Sequence, residues 1–474
     1  MKSGILKIAS AAAFILFFLC GSGLLYRVFS WKDTSGDYYS STDQLYSMKK
    51  NTVDVAFFGP SSYYASLNPA VFWEQDGIAS FNAAVSGQDR NASTYFVKEL
   101  LKKQSPQVVV VSATYLYTDT YAVQGNLLRN TLSLKASLNS TLLARDLVSK
   151  NAAVATPNDT KSFLLRWPII HNRYLELKRE DFVPVKEYEN SLGFVYNFNY
   201  GSISEFSPAS SDPSQAHPIS EANKQWIMEL KALGEKKGFQ VIVVSVPTEM
   251  SAENRACLNG CYQYFDEIGI SYLDLNFHLA EMDFDPYADM TDGNHATITG
   301  ADKISRYLAD YLLSKYSLPD RRGDQRYERY EKCLETHKHR ILEAEEIPYL
   351  DSIQLCELSN TYRGLVTSIT LHPGNESAAE FEELLKGAGV SASEIAAGGT
   401  WILKDGVILC RPVSKVYGYL VCAGDYLHVT PGETRGADTV SVGKTVYVTP
   451  ENEGCCVLTY DTILGKVIDV REIH

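Results

Sequence analysis

Residues 53–69 read VDVAFFGPSSYYASLNP. Residues 53–58 are largely hydrophobic, as a strand buried on both faces requires. Gly59 and Pro60 then end the run, as a turn would. A plain surface turn does not explain two serines followed by Tyr63 and Tyr64. In an open parallel α/β sheet, ligands sit at the carboxyl ends of the strands. The fold and the meaning of Ser61 therefore depend on whether this strand has parallel neighbours.

The chain on either side supplies them. IASFNAA (78–84) and QVVVVSATY (107–115) read as further strands, the second a continuous β-branched run suited to a strand covered on both faces. RNASTYFVKELLKKQ (90–104) between them has apolar residues at helical spacing. Farther on, SEANKQWIMELKALGEKKG (220–238) opens on a Ser cap and stops before Gly238. FQVIVVSVP (239–247) and ISYLDLN (270–276) are strands, and TGADKISRYLADYLLSKY (299–316) is amphipathic, with Ile304, Leu308 and Leu312 on one face. Strand and helix in alternation imply a parallel sheet flanked by helices.

Three other regions break the pattern. Residues 8–26 carry no charge and nearly span a bilayer core of about 30 Å at about 1.5 Å per residue. This reads as a transmembrane anchor over residues 1–27, followed by a polar stalk over 28–45. A cleaved signal peptide, with Gly21 to Gly23 near the cut, is the competing reading. Either exports the remainder. An insertion over 116–219 includes LLRWPIIHNRYLELKRED, expected to be helical, and an aromatic stretch in which Tyr196, Phe198 and Tyr200 alternate as on a strand. Beyond a charged helical linker (317–345), residues 346–474 form short β-like runs with turn signals and one helix, ESAAEFEELLKGAG, implying a β-rich accessory domain.

Length and composition limit the function. The 474 residues imply at least two domains; 45% hydrophobic and 21% charged residues are ordinary globular content. A formal net charge of −13 without a basic stripe argues against a nucleic-acid partner. Besides Cys20 there are eight cysteines, compatible with disulfides after export, Cys257 and Cys261 closing a small loop, or with free thiols. There is no CxxC pair to hold zinc. Asp283, Asp285, Asp289 and Asp292 lack the Gly and Glu spacing of a calcium loop. His337 and His339 lie on a charged helix, where surface exposure is expected rather than metal binding.

The sequence DMTDGNHATITGADKIS (289–305) places Asp292 three residues before His295. If the segments converge, Ser61 can attack a carbonyl, His295 can take its proton and Asp292 can orient the imidazole. Backbone N–H groups of Ser61 and Gly87 can hold the oxyanion. GPSSYYASLNP, NAAVSGQ and DGNHATITGADKIS together resemble the three conserved blocks of the SGNH (GDSL-like) hydrolases over about residues 46–316. More narrowly they resemble the membrane-anchored branch near the D-alanyl-lipoteichoic acid transfer protein and the alginate O-acetylation proteins.

The resemblance implies a flavodoxin-like sheet, the catalytic set Ser61, Asp292 and His295, and no cofactor or metal. It also implies action on acyl esters, acetyl by expectation, of a cell-surface polysaccharide, with a membrane-bound O-acyltransferase as a possible partner. Ser62 is the alternative nucleophile. The oxyanion Asn usual in the family's third block is missing after residues 107–112, leaving Ser112, Thr114 or Gln88 as substitutes. Further substrate-binding candidates are Ser62, Gln88, His171 (with Arg173) and Tyr196. Hydrolase and transferase remain open, as does a non-catalytic scaffold that binds glycan or an acyltransferase. A solute-binding protein would need two similar α/β lobes, and the tail does not repeat the first pattern.

Overall fold

A computed structural model describes residues 2–30, 39–117, 124–150, 162, 166–178, 181–182, 190–197, 203, 206, 215–373, 378–422, 425–434, 436–449 and 454–473. Phe198 and Tyr200 lie outside them. The chain divides into two compact units, Met1–Leu334 and Glu335–His474.

The first unit is built on five parallel strands: β1 (Val55–Phe58), β2 (Ser80–Asn82), β3 (Val108–Ser112), β4 (Gln240–Ser245) and β5 (Ser271–Asp274), in the order β2-β1-β3-β4-β5. The continuous apolar runs follow from burial on both faces. Ala56, Phe58, Val109, Val111, Val241 and Val243 enter one core, whereas Val55, Phe57, Val108, Val110, Ile242 and Val244 enter the other. Helix Glu221–Lys237 is capped by Ser220 and ends at left-handed Gly238, and Trp226, Ile227 and Leu230 enter the first core. Helix Ile298–Lys315 covers the second face with Ile304, Leu308 and Leu312.

The expected stalk and linker are packed where they are described. Helix α2 (Tyr39–Ser47), which overlaps the end of the expected stalk, buries Thr42, Gln44 and Leu45. Gln44 donates to Ser191 Oγ (3.1 Å) and accepts from Leu192 N–H (2.7 Å). At residues 321–330, Arg321 makes two 2.8 Å hydrogen bonds to Asp54, and Tyr330 donates to Thr52 O at 2.7 Å. Trp73 stacks on Tyr327 and Tyr330, at 6.3 and 5.0 Å between ring centroids. Apolar and aromatic residues among the charges give these segments a buried face.

Helix α1 (Lys2–Phe29) includes one 20-residue stretch, Ser10–Phe29, long and apolar enough to cross a membrane. In the insertion, the described part of the stretch expected to be helical contains helix Trp167–Ile170 and a tighter turn His171–Leu175. Arg166 before it takes a left-handed φ of 61°.

The second unit contains two antiparallel sheets. One has the order β14 (Lys466–Ile473), β13 (Cys455–Asp461), β6 (Leu365–Leu371), β7 (Gly399–Lys404), β8 (Val407–Cys410). The other has the order β12 (Thr445–Val448), β11 (Thr439–Val442), β10 (Asp425–Thr430), β9 (Tyr417–Cys422). Alternation along β6 and β13 decides the layers. Ile369, Leu371, Cys455 and Val457 pack with Phe381 and Leu385, the latter two from helix Ala378–Gly387. Val366, Cys456, Leu458 and Tyr460 pack with Leu427, Val429 and Val440 of the second sheet.

One expectation is corrected, and the open reading of the cysteines is narrowed. Cys257 and Cys261 are unbridged. They lie four residues apart where one helix (Ala252–Asn259) gives way to the next (Cys261–Ile268), and the Cys261 thiol donates to Cys257 O at 3.1 Å. Cys20, Cys333, Cys356, Cys410 and Cys456 are not disulfide-bonded either. His337 and His339 are buried rather than exposed. Their helix, Glu328–Ile341, has an inward face, and His339 Nδ1 is 2.7 Å from Asp461 Oδ2. No group of three or more potential metal ligands occurs among the described residues.

Candidate active site

Ser61 begins helix α3 (Ser61–Ser66), three residues beyond Phe58 at the end of β1. Side-chain packing explains the glycine: a Cβ at Gly59 would lie 2.3 Å from Tyr63 Cγ. Tyr63 fixes the helix to the sheet. Its buried hydroxyl reaches the carbonyls of Val244 (2.6 Å) and Val111 (3.0 Å), at the carboxyl ends of β4 and β3. Burial pushes the phenol well above its ordinary pKa, so it stays a neutral donor. Asn82, ending β2, donates to the carbonyls of Tyr63 and Leu67, both at 2.9 Å. Ser61 is half-buried, and its hydroxyl makes no hydrogen bond among the described residues. Ser62 is buried.

Asp292 and His295 occupy a short loop closed by Thr291 N–H donating to His295 O at 2.9 Å. His295 Nδ1 lies 2.8 and 3.0 Å from the two Asp292 oxygens. Asp292 Oδ1 also accepts the N–H groups of Asn294 (2.7 Å) and His295 (3.0 Å). Partial burial would raise the Asp292 carboxyl, but these hydrogen bonds and the adjacent imidazole outweigh it and hold the pKa below the usual carboxylate value. Because Nδ1 is held by the carboxylate, Nε2 is the nitrogen left for chemistry.

Several contacts place this loop at the sheet end carrying Ser61. Glu249, in the loop after β4, donates its N–H to Gly293 O at 2.7 Å. Residues 194–197 form a strap. Val195 N–H donates to Tyr64 O (3.0 Å), Ile298 N–H donates to Asn197 O (3.0 Å), and Asn197 Nδ2 donates to Thr291 Oγ1 (2.9 Å). Helix Ile298–Lys315 packs directly on α3; Ser305 Oγ donates to Ser66 O at 3.2 Å and accepts from Asn68 N–H at 2.9 Å. There is no hydrogen bond between Ser61 Oγ and His295 Nε2; catalytic hydrogen bonds are often long before substrate binds.

The remaining candidates divide. Gly87 has φ +64°, and the Asn126 carboxamide packs where its Cβ would stand, 2.2 Å from Cγ. Asn126 belongs to helix Gln124–Ser133, whose Asn130 donates to Gly87 O at 3.1 Å and whose Arg129 donates to Ser86 Oγ at 3.3 Å. The insertion thus brings a carboxamide to the Gly87 turn. Sequence reading missed Asn126 because it lies outside the three blocks and no local pattern marks it. Gln88 is wholly buried, donating to Ala83 O (3.2 Å) and accepting from Tyr115 Oη (2.8 Å). Ser112 is buried and caps the next turn through Thr114 N–H. Tyr196 is half-buried in the strap, edge-on to Phe194 at 4.9 Å. His171 is exposed, its Nδ1 2.9 Å from Pro168 O, in the segment that also contains Arg173. Of the acidic run, Asp285 caps a short helix and Asp289 pairs with Lys303 at 2.8 Å.

No protein-family model matches the chain, and no curated protein matches it. Among solved structures it is similar to a protein assigned to the G-D-S-L lipolytic family from Desulfitobacterium hafniense DCB-2. Identity there is 14%, coverage is 55% of this chain and 100% of that one, and the TM-score is 0.27. It is also similar to an acetyl xylan esterase from the rumen bacterium Butyrivibrio proteoclasticus, with 10% identity, 56% and 64% coverage and a TM-score of 0.23. At such TM-scores neither likeness establishes an activity for this chain.

Proposed function

We propose that the chain is an exported, membrane-anchored serine esterase or O-acyltransferase of SGNH type. Its substrates are acyl esters, acetyl foremost, of a cell-surface polysaccharide. The observation that carries this reading is the Asp292–His295 pair held, with Nε2 uncommitted, at the same sheet end as the uncommitted Ser61 hydroxyl.

Ser61 Oγ attacks the acyl carbonyl as His295 Nε2 takes its proton, and Asp292 stabilises the imidazolium. The oxyanion accepts from the N–H groups of Ser61 and Gly87, with the Asn126 carboxamide beside Gly87 as a third donor. Collapse expels the sugar alkoxide, which His295 protonates, and leaves an acyl-Ser61 ester. Water or a second sugar hydroxyl, deprotonated by His295, then attacks this ester and regenerates Ser61. The polysaccharide and the membrane-bound acyltransferase partner come from the family resemblance.

Ser61→Ala should abolish turnover of p-nitrophenyl acetate and labelling by a fluorophosphonate while leaving the unfolding transition in place. Undiminished labelling of this variant would remove Ser61 from the mechanism. The missing Ser61–His295 hydrogen bond favours a second reading, a non-catalytic scaffold that binds glycan or an acyltransferase. Failure of the intact chain to label at all would support it.

A further inference from the structure

The end of α1 is gripped by the insertion. Arg173 Nη1 donates to the carbonyl of the last helical residue, Phe29 (3.0 Å), and to that of Ser30 just beyond it (2.6 Å). Its Nη2 is braced by both oxygens of buried Asp181, at 2.9 and 3.1 Å. Arg166 donates to Tyr26 Oη (3.1 Å) and to the carbonyls of Leu134 (2.6 Å) and Thr131 (3.0 Å). The Trp167 ring stands edge-on to Tyr26 and tilted to Phe29, each at 6.2 Å. A guanidinium on terminal carbonyls also complements the helix dipole.

Geometry sets the height of this grip. Ser10–Phe29 rises about 30 Å, the thickness of a bilayer core. With that stretch in the membrane, Tyr26 and Phe29 lie at the boundary where Tyr and Trp concentrate, and any segment bonded to Phe29 O lies there too. Tyr174 and Leu175 follow Arg173 directly, within about 8 Å of chain, and Phe182 follows Asp181. All three are exposed, at 60, 76 and 63%. Single exposed apolar residues are ordinary. Here three lie within two residues of the Arg173–Asp181 pair, which is hydrogen-bonded to the end of an apolar helix.

We infer that residues 166–178 and 181–182 form a foot seated on the membrane, with Tyr174, Leu175 and Phe182 entering the headgroup–acyl boundary. The inference rests on the membrane-anchored part of the proposed function and is independent of Ser61 chemistry. The α/β unit is then held to the bilayer through its insertion as well as by the chain that follows α1.

The test uses the full chain in phosphatidylcholine–phosphatidylglycerol vesicles whose acyl chains are brominated near the headgroup. Leu175→Trp and Phe182→Trp each add emission to the wild-type background; Lys237→Trp, at the exposed end of its helix, is the control. The emission added at positions 175 and 182 should be quenched at least about twofold more than that added at 237. Equal quenching at all three positions, in chains that float with the vesicles, overturns the foot. Chains that do not float at all overturn the anchor, and the foot with it. Flotation thus separates the two failures, and fluorophosphonate labelling is read independently of both.

Discussion

Each unit contains a histidine–aspartate pair of nearly the same geometry, and their surroundings differ. His295 Nδ1 and Asp292 are 2.8 Å apart, with side chains 27% and 53% exposed. His339 Nδ1 and Asp461 are 2.7 Å apart, with side chains 3% and 0% exposed. The second pair is enclosed by its fold. Asp461 also accepts the N–H groups of Ile463 (2.8 Å) and Leu464 (2.9 Å), and the Tyr362 ring stands edge-on to His339 at 4.9 Å. It closes the turn after β13. The first pair opens to solvent at the sheet end that carries Ser61. Reactivity therefore follows from what the second imidazole nitrogen can reach, whereas the shared hydrogen bond alone marks only a well-oriented ring.

The comparison breaks most sharply at His295. His295→Ala should lower kcat for p-nitrophenyl acetate by about ten-thousand-fold or more, with little change in Tm. A loss below about tenfold would put the base elsewhere. His339→Ala should do the reverse. Removing one partner of a buried pair costs about 3–5 kcal/mol in denaturant unfolding, while turnover per folded molecule is kept. A cost under about 1 kcal/mol would show the pair to be replaceable.

Asp292→Asn removes the orienting charge but keeps the loop's size. Its kcat should fall by about a hundred- to a thousand-fold, less than for His295→Ala. Tyr63→Phe leaves the Val111 and Val244 carbonyls without their shared donor and should cost about 1–3 kcal/mol. If kcat also falls, the Tyr63 anchor from α3 to the sheet positions Ser61.

The smallest effect is on acid stability. The Asp292 carboxyl lies below its usual pKa in the folded chain, so its contribution is in place above the ordinary carboxylate value of about 3.9 and is lost as pH falls through the lowered folded value. Calorimetry from neutral pH down to about pH 3 should show a shallower acid decline of Tm for Asp292→Asn than for the parent. Indistinguishable profiles would mean that the half-exposed pair is screened by solvent.

Local pattern made part of this legible. Continuous β-branched runs such as 108–111 can be satisfied only between two covered faces, and Val108 to Val111 do alternate between two cores. Ser220 and Gly238 bracket their helix because cap chemistry is local. The spacing of Asp292 and His295 is likewise local, and their hydrogen bond forms within one loop. The insertion was less legible: no local pattern in LLRWPIIHNRYLELKRED announces that the Arg166 and Arg173 guanidinium groups bond backbone far away in the chain. In HKHR the charge of the helix concealed its inward face, because the partner of His339 lies 122 residues later.

Residue order alone was enough for the parallel strands, the apolar first helix, the β-rich tail and the three segments with candidate chemistry, because each depends on contacts within a strand, a turn or a loop. The strand order, the strap from Tyr64 through Asn197 to Ile298, the placing of Asn126 on Gly87 and the unequal exposure of the two histidine–aspartate pairs required the folded chain. They depend on which distant surfaces are buried together, and that is a property of packing rather than of any single stretch of residues.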